Sequence, residues 1–366
     1  MRSFYVLGFI AFLLLGALQA VYGPAFSALQ ARFDVSRADV GLIASSHFLG
    51  SMLGILAAGG LLKRLELRGL LRVGSALIAL GLAGVTFAPA WTFAVVCASL
   101  AGFGFGFVSV TFNVGGARLG VRAAGVLNIL NACFGLGSIL APLSVSALGG
   151  QTWPYALLGL TALGLLLSAG RLPHLPETTV ASSGRAPIVP LALFGGFFVL
   201  YVGVEAGVGS WMTAHLSDLG VVNAATWTSG FWLAVTIGRL LGAPLALRFK
   251  LPRIILSALV LAIVALLLAS TPAARFAYLL VGLAIAPLFA TTLAWFGQNI
   301  STGLAPLVLA CGGFGGTLFP WLLGVLSARF GTDVVPFVEA GVAFGALLVA
   351  LLLRVRLKAS AETPAL

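Results

Sequence analysis

A chain of 366 residues, 60% hydrophobic and only 8% charged, is not an ordinary water-soluble protein. A net charge of +11 would suit nucleic acid, but the basic residues lie between apolar stretches on one side of the predicted topology, which excludes that partner. Three cysteines, Cys97, Cys133 and Cys311, all fall inside apolar stretches and imply neither a disulfide framework nor a thiolate metal site.

A bilayer core needs roughly 20 consecutive apolar residues. The chain supplies two sets of six such stretches. The first set is predicted near 4–30, 38–62, 69–90, 92–114, 123–148 and 153–170, and the second near 188–216, 221–249, 252–270, 274–298, 303–329 and 332–356. The expected fold is therefore an all-α membrane protein of twelve transmembrane helices in two six-helix bundles, 1–170 and 188–356. A polar cytoplasmic linker, 171–187, joins the bundles, and a cytoplasmic tail, 357–366, follows. The first twenty residues imitate a signal peptide cleaved after Ala20, but the apolar run continues through Leu29, so they are read as part of the first span. The connections leave no room for a soluble catalytic domain, and His-Glu-x-x-His, Gly-x-Ser-x-Gly and Walker motifs are absent. The expectation is no enzyme, no cofactor and no metal.

Arg2, Lys63, Arg64, Arg68, Arg118, Arg122, Arg171, Arg248, Lys250 and Arg354 share one side of this topology, whereas Arg32, Arg37, Arg275 and Arg329 lie on the other. That asymmetry predicts cytoplasmic termini in the plasma membrane, with the basic side touching anionic lipid.

The halves repeat one another. Ala132-Cys-Phe-Gly-Leu-Gly-Ser-Ile-Leu-Ala-Pro142 in span five mirrors Ala310-Cys-Gly-Gly-Phe-Gly-Gly-Thr-Leu-Phe-Pro320 in span eleven, and Gly54…Arg64 mirrors Gly238…Arg248 at a nearly equal offset. Gly50-x-x-x-Gly54, Gly203-x-x-x-Gly207 and Gly341-x-x-x-Gly345 read as faces of close helix packing, as does Gly102-Phe-Gly104-Phe-Gly106. Parallel six-span repeats around a site near mid-membrane are a secondary-transporter architecture.

These residues resemble the major facilitator superfamily. The run Gly238-Arg-Leu-Leu-Gly-Ala-Pro-Leu-Ala-Leu-Arg248 is similar to its Gly-x-x-x-Asp-Arg loop, and Gly102–Asn113, Leu127–Pro142 and Tyr201–Trp211 resemble the fucose and glucose/galactose permease branch. The resemblance implies alternating access by two rocking bundles and a gating role for Arg64 and Arg248. Lys63 and Leu247 stand where the loop acid belongs, which puts the charge latch of that loop in doubt. Ser109 stands where relatives carry an acid in span four.

Ionisable groups inside spans are functional candidates because they are costly to bury. Glu205 lies about 22 Å from the cytoplasmic end of span seven at ~1.5 Å per residue, with His47, Gln19 and Tyr22 at similar depth. Glu205 is expected to carry a proton, to accept substrate hydroxyls, or both; a structural carboxyl is the alternative. Arg239 is placed roughly 14 Å deep, a different level from Glu205, so its reading is gating, lining of the cavity, or snorkelling to the interface. Glu339 is read as structural. Asn113, Asn128 and Asn131 can bond a polar substrate or tie helices together. Trp211, Trp232 and Trp295 can stack on a sugar ring or simply pack. The expected function is proton-linked transport of a small, polar, sugar-like solute by a monomer in contact with membrane lipid. Drug or metabolite efflux by the same fold is the alternative, and lipid handling or a non-transporting role comes after it.

Overall fold

The structure is a computed structural model that describes residues 2–175, 188–300 and 304–362. Most of the predicted linker (176–187) and the last four residues of the tail lie outside the described residues. Among the described residues every regular element is a helix. Twelve helical stretches are long and apolar enough to cross a membrane. The first six are Arg2–Ala20, Arg37–Leu62, Arg64–Thr86, Trp91–Ala117, Gly120–Leu148 and Trp153–Arg171. The second six are Ile188–Asp218, Ala224–Arg248, Leu251–Leu268, Ala274–Asn299, Leu307–Phe330 and Val334–Leu357. Numbered one to twelve, they match the predicted spans in count and order.

The differences lie at breaks. Span one ends at Ala20, ten residues earlier than predicted, because Gly23 and Pro24 form a tight turn and Phe26–Phe33 is a separate short helix. Spans two and three run nearly end to end, interrupted at Glu66, whose φ of 51° and ψ of 177° fall outside any helix. Span ten is two helices, Ala274–Ile285 and Leu288–Asn299, split where Pro287 has no N–H to offer. Span two begins with a capping box in which Ser36 and Asp39 satisfy each other's backbone N–H groups.

The sequence repeat marks a repeated helix crossing. A methyl group on Gly137 of span five would overlap the Leu13 carbonyl of span one, and one on Gly315 of span eleven would overlap the Val199 carbonyl of span seven. The second pair of matched glycines behaves alike. Gly54 meets the Phe103 carbonyl of span four, and Gly238 meets Leu283 and Ala286 of span ten. Each half thus brings its first helix onto its fifth, and its second onto its fourth, backbone against backbone. Gly203 and Gly207 are likewise covered, by Phe319 and Glu339. The third glycine pair departs from expectation, since Gly341 faces open space and Gly345 has only Leu200 at 3.5 Å. We therefore expect Gly315→Leu to lower the thermal unfolding temperature of purified protein sharply, since overpacking costs ~1–3 kcal/mol or more. Gly341→Ala should leave it within error; equal melting of the two variants would refute the crossing.

One end of the molecule carries Arg2, Arg171 and Leu357 and is called here the terminal face; the other, with Asp34, Asp218 and Asp333, is the far face. At the far face the halves are closed on each other. Arg37 of span two forms a two-pronged pair with Asp218 of span seven, at 2.7 and 3.0 Å. Gly23 rests on the Gly209 and Ser210 carbonyls, and Gly41 on that of Pro320. Contact runs inward to Met52 against Gly313 and Thr236 against Gly135. The glycine contacts between the halves lie in the far part of the molecule, and the picture differs toward the terminal face. Asn113, Asn128 and Asn131 are exposed, and a methyl group on Gly59, Gly60 or Gly125 would meet nothing within 4 Å.

The far-face arginines are each engaged. Arg32 donates to the Val85, Thr86, Ala88 and Gln151 carbonyls, which neutralises the negative end of span three. Arg275 lies over Trp227 and Phe276, and Arg329 over Phe330.

Candidate functional site

Glu205 of span seven is a buried acid of the second half with charged and polar partners. Its carboxyl accepts the Tyr201 hydroxyl on Oε2 and the Arg239 guanidinium of span eight, Nη2 to Oε1, at 3.0 Å. The Glu205 side chain is 9% exposed and that of Arg239 30%, so the carboxylate is the more enclosed partner. Tyr201 is held by the rings of Phe197, Phe198 and Phe289. Counting residues placed Glu205 and Arg239 at different depths; the long arginine stem closes that gap. In the sequence Tyr201 figures only as the start of the Tyr201–Trp211 stretch, without a role, although its place one helical turn before Glu205 puts both side chains on one face. The cluster can do two things. It can exchange a proton on Glu205 against the Arg239 charge, and it can offer a donor fork and an acceptor to a hydroxylated solute.

The first half supplies a second buried group. His47 is almost wholly enclosed; its Nδ1 lies 3.4 Å from the Tyr22 hydroxyl, and its Nε2 has no partner. Phe48, Phe105 and Tyr22 surround the ring, and Tyr22 stacks in turn on Tyr155. Gln19 is half-buried nearby in the chain. The three amides lie toward the terminal face and are exposed. Asn113 donates to the Ser109 carbonyl and hydroxyl, Asn131 donates to the Leu127 carbonyl, and Asn128 is exposed.

The tryptophans separate by position. Trp211 donates its indole N–H to the Pro320 carbonyl at 2.8 Å, and its ring lies between Gly41 and Gly324 and against Phe26. It is a wedge between the halves on the far side of the site. Trp232 is buried over Gly209 with its N–H unpartnered. Trp295 packs edge-on against Phe194 near the terminal face. The proposed gating arginines Arg64 and Arg248 are exposed and make no ion pair among the described residues. Among the described residues no group of three His, Cys, Asp or Glu side chains is placed to hold a metal.

The far-face closure was not anticipated from the sequence. Arg37 and Asp218 are far apart in the chain, and only their shared position at the far-face ends of spans two and seven hinted at a contact.

Comparison with known proteins agrees with this architecture. The chain is 24% identical over 356 residues to the glucose/mannose transporter GlcP of Bacillus subtilis, covering 88% of both chains. The crystal structure of a D-xylose–proton symporter superposes with a TM-score of 0.80 at 16% identity, covering 96% of this chain and 97% of the other. The crystal structure of the nucleoside transporter NupG superposes with a TM-score of 0.75 at 16% identity, covering 96% and 98%. These solved structures share the fold. The profile of the Major Facilitator Superfamily matches residues 8–310, a stretch that includes the Gly137 crossing and the Glu205–Arg239 pair, and the chain belongs to that family.

Proposed function

We propose that this transporter moves a small hydroxylated solute, most simply a hexose, in symport with a proton, and that Tyr201, Glu205 and Arg239 are its central site. The observation that carries the reading is the Glu205–Arg239 pair inside the span, with the guanidinium partly exposed and the Trp211 wedge on its far side. A solute entering from the terminal face meets the guanidinium first. Protonation of Glu205 removes the charge that holds Arg239, and the freed guanidinium can then bond sugar hydroxyls. Proton and solute thereby assist one another through a single side chain. The amides of Asn113, Asn128 and Asn131 line the approach. The curated glucose/mannose relative supports a sugar over a nucleoside or drug.

The test is counterflow in vesicles preloaded with D-glucose, D-mannose, D-xylose or a nucleoside, with the same labelled compound added outside. Accumulation of a labelled hexose, and not of the nucleoside, is the expected result; the reverse order would overturn the sugar assignment.

The same reading places the terminal face in the cytoplasm of the plasma membrane, because most basic residues lie there. Single cysteines introduced at Phe87 and Val222, both 80% exposed at the far face, should react in intact cells with a membrane-impermeant maleimide. A cysteine in the 176–187 segment should react only after lysis, and labelling of that segment from outside would invert the topology.

A further inference from the structure

A cavity of about 230 Å³ lies at the terminal face, away from Glu205 and Arg239. The link between spans two and three, the end of span four and the chain after span six meet there. Its apolar wall includes Leu67 and Leu175, both buried. Its polar wall is Arg68, Arg118, Glu66 and His174. Four ionisable side chains thus converge on one hollow that the transport reading leaves unused.

The two arginines are tethered and still have donors to spare. Arg68 donates its Nε–H to the Leu172 carbonyl, and Arg118 donates from Nη1 to the Leu175 carbonyl at 3.4 Å. A guanidinium carries five N–H groups, so each keeps most of its donors. Among the described residues neither arginine is in an ion pair. The carbonyls they grip belong to a segment anchored by the enclosed side chains of Leu172 and Leu175. Arg72 adds positive charge close by, its Nη2 3.5 Å from where a methyl group on Gly170 would stand.

Glu66 is the only acid among the described residues of the wall. Its φ of 51° and ψ of 177° lie in a region that glycine occupies almost alone. Backbone of this kind persists where its surroundings over-determine it, and it clusters at ligand clamps and switches. The Glu66 carboxylate lies 3.7 Å from Nδ1 of His174 at the exposed rim. Two arginines against one glutamate leave the wall positive even with a neutral imidazole. A flat carboxylate is satisfied by one guanidinium fork. Guanidiniums from two different helices suit a tetrahedral anion, whose oxygens point several ways.

We propose that this cavity binds a phosphate-bearing anion, with Arg68 and Arg118 donating to its oxygens and the wall at Leu67 and Leu175 covering the group that the phosphate carries. The bound anion joins the ends of spans two to four to the segment that leads into the linker. Glu66 repels the anion and limits its affinity. A soluble phosphate ester and a phospholipid headgroup share this chemistry. The site goes beyond the symport reading and does not depend on Glu205.

The test uses the purified full chain in phosphate-free detergent solution. Melting temperature is followed as potassium phosphate or glycerol 3-phosphate replaces potassium chloride at constant ionic strength. A saturating rise is expected, since a ligand that binds only the folded state stabilises it. Arg118→Gln should raise the concentration needed at least tenfold. Glu66→Gln keeps the length of the side chain but removes its charge, and should lower that concentration at least threefold. Arg253→Gln, exposed at the terminal face but outside the cavity, should match the wild type. Native mass spectrometry with phosphatidylglycerol tests the membrane source. Adducts kept by wild type and Arg253→Gln but lost by Arg118→Gln would assign the phosphate to a headgroup, and a response to the soluble probes alone would assign it to a free ester. No response to any of these probes would overturn the site, as would an equal loss in Arg253→Gln and Arg118→Gln. If Arg118→Gln does not fold, Glu66→Gln decides, and an unchanged concentration there refutes the proposal. Failure of Glu205 to couple transport would leave every arm untouched.

Discussion

Vesicles containing Glu205→Gln are expected to lose uphill accumulation of the transported hexose while still exchanging labelled for unlabelled solute. A one-unit pH gradient is worth about 1.4 kcal/mol per proton, so symport of one proton per sugar supports about tenfold accumulation. Glutamine keeps the shape and the bond from Tyr201 but cannot change charge, so the variant should equilibrate at equal concentrations inside and out. It also leaves Arg239 without its anion. Breaking a fully buried pair from one side costs roughly 3–5 kcal/mol. Arg239 is 30% exposed and can hydrate, so the loss should be well below that range, and exchange should slow without ceasing. Glu205→Gln with Arg239→Gln should regain stability but not coupling. Continued tenfold accumulation in the single variant would move the coupling role away from span seven.

Trp211→Ala is expected to shift the resting conformation toward one open at the far face. The indole touches Phe26 and Gly41 of the first half and Gly324 and Pro320 of the second, so it is a shared part of the closed seam. Truncating a buried tryptophan costs ~3–5 kcal/mol. If about 2 kcal/mol of this belongs to contacts across the halves, the equilibrium moves on the order of thirtyfold. The Arg37–Asp218 pair, about 37% exposed on each side chain, contributes at most about 1 kcal/mol by itself. Arg37→Ala should therefore shift the population far less than Trp211→Ala. Spin labels at positions 87 and 222 report the separation of the halves at this face. Identical distance distributions in the wild type and Trp211→Ala would show that the wedge does not hold the seam.

Hydropathy and glycine spacing made the architecture legible. Twelve runs long enough to span, repeated once, left few alternatives, and the two copies of Ala-Cys-x-Gly-x-Gly coincide with the helix crossings that need them. Glu205 stood out because an acid in the middle of an apolar span has few inexpensive explanations. The Glu205–Arg239 contact was hidden because a residue count gives the depth of Cα atoms and not the reach of a guanidinium. The premature end of span one was written in Gly23-Pro24, but the apolar residues after it masked the break. The closure depends on partners distant in the chain, Arg37 with Asp218, and on helix rotations that hydropathy does not carry. Trp211 illustrates the same limit, since stacking on a ligand and wedging between bundles ask for the same side chain.

The paired crossings at Gly137 and Gly315 have a mechanical meaning. Where two backbones touch with no side chain between them, there is no rotamer to switch and no cushion to compress. Within each half the first and fifth helices are therefore pinned like the arms of a riveted frame. Motion is left to the seam between the frames, where the contacts mix side chains such as Trp211, Met52 and Thr236 with the backbone approaches at Gly23 and Gly41. The matched glycines fix the frame in both halves, and side chains at the seam can differ without disturbing those crossings.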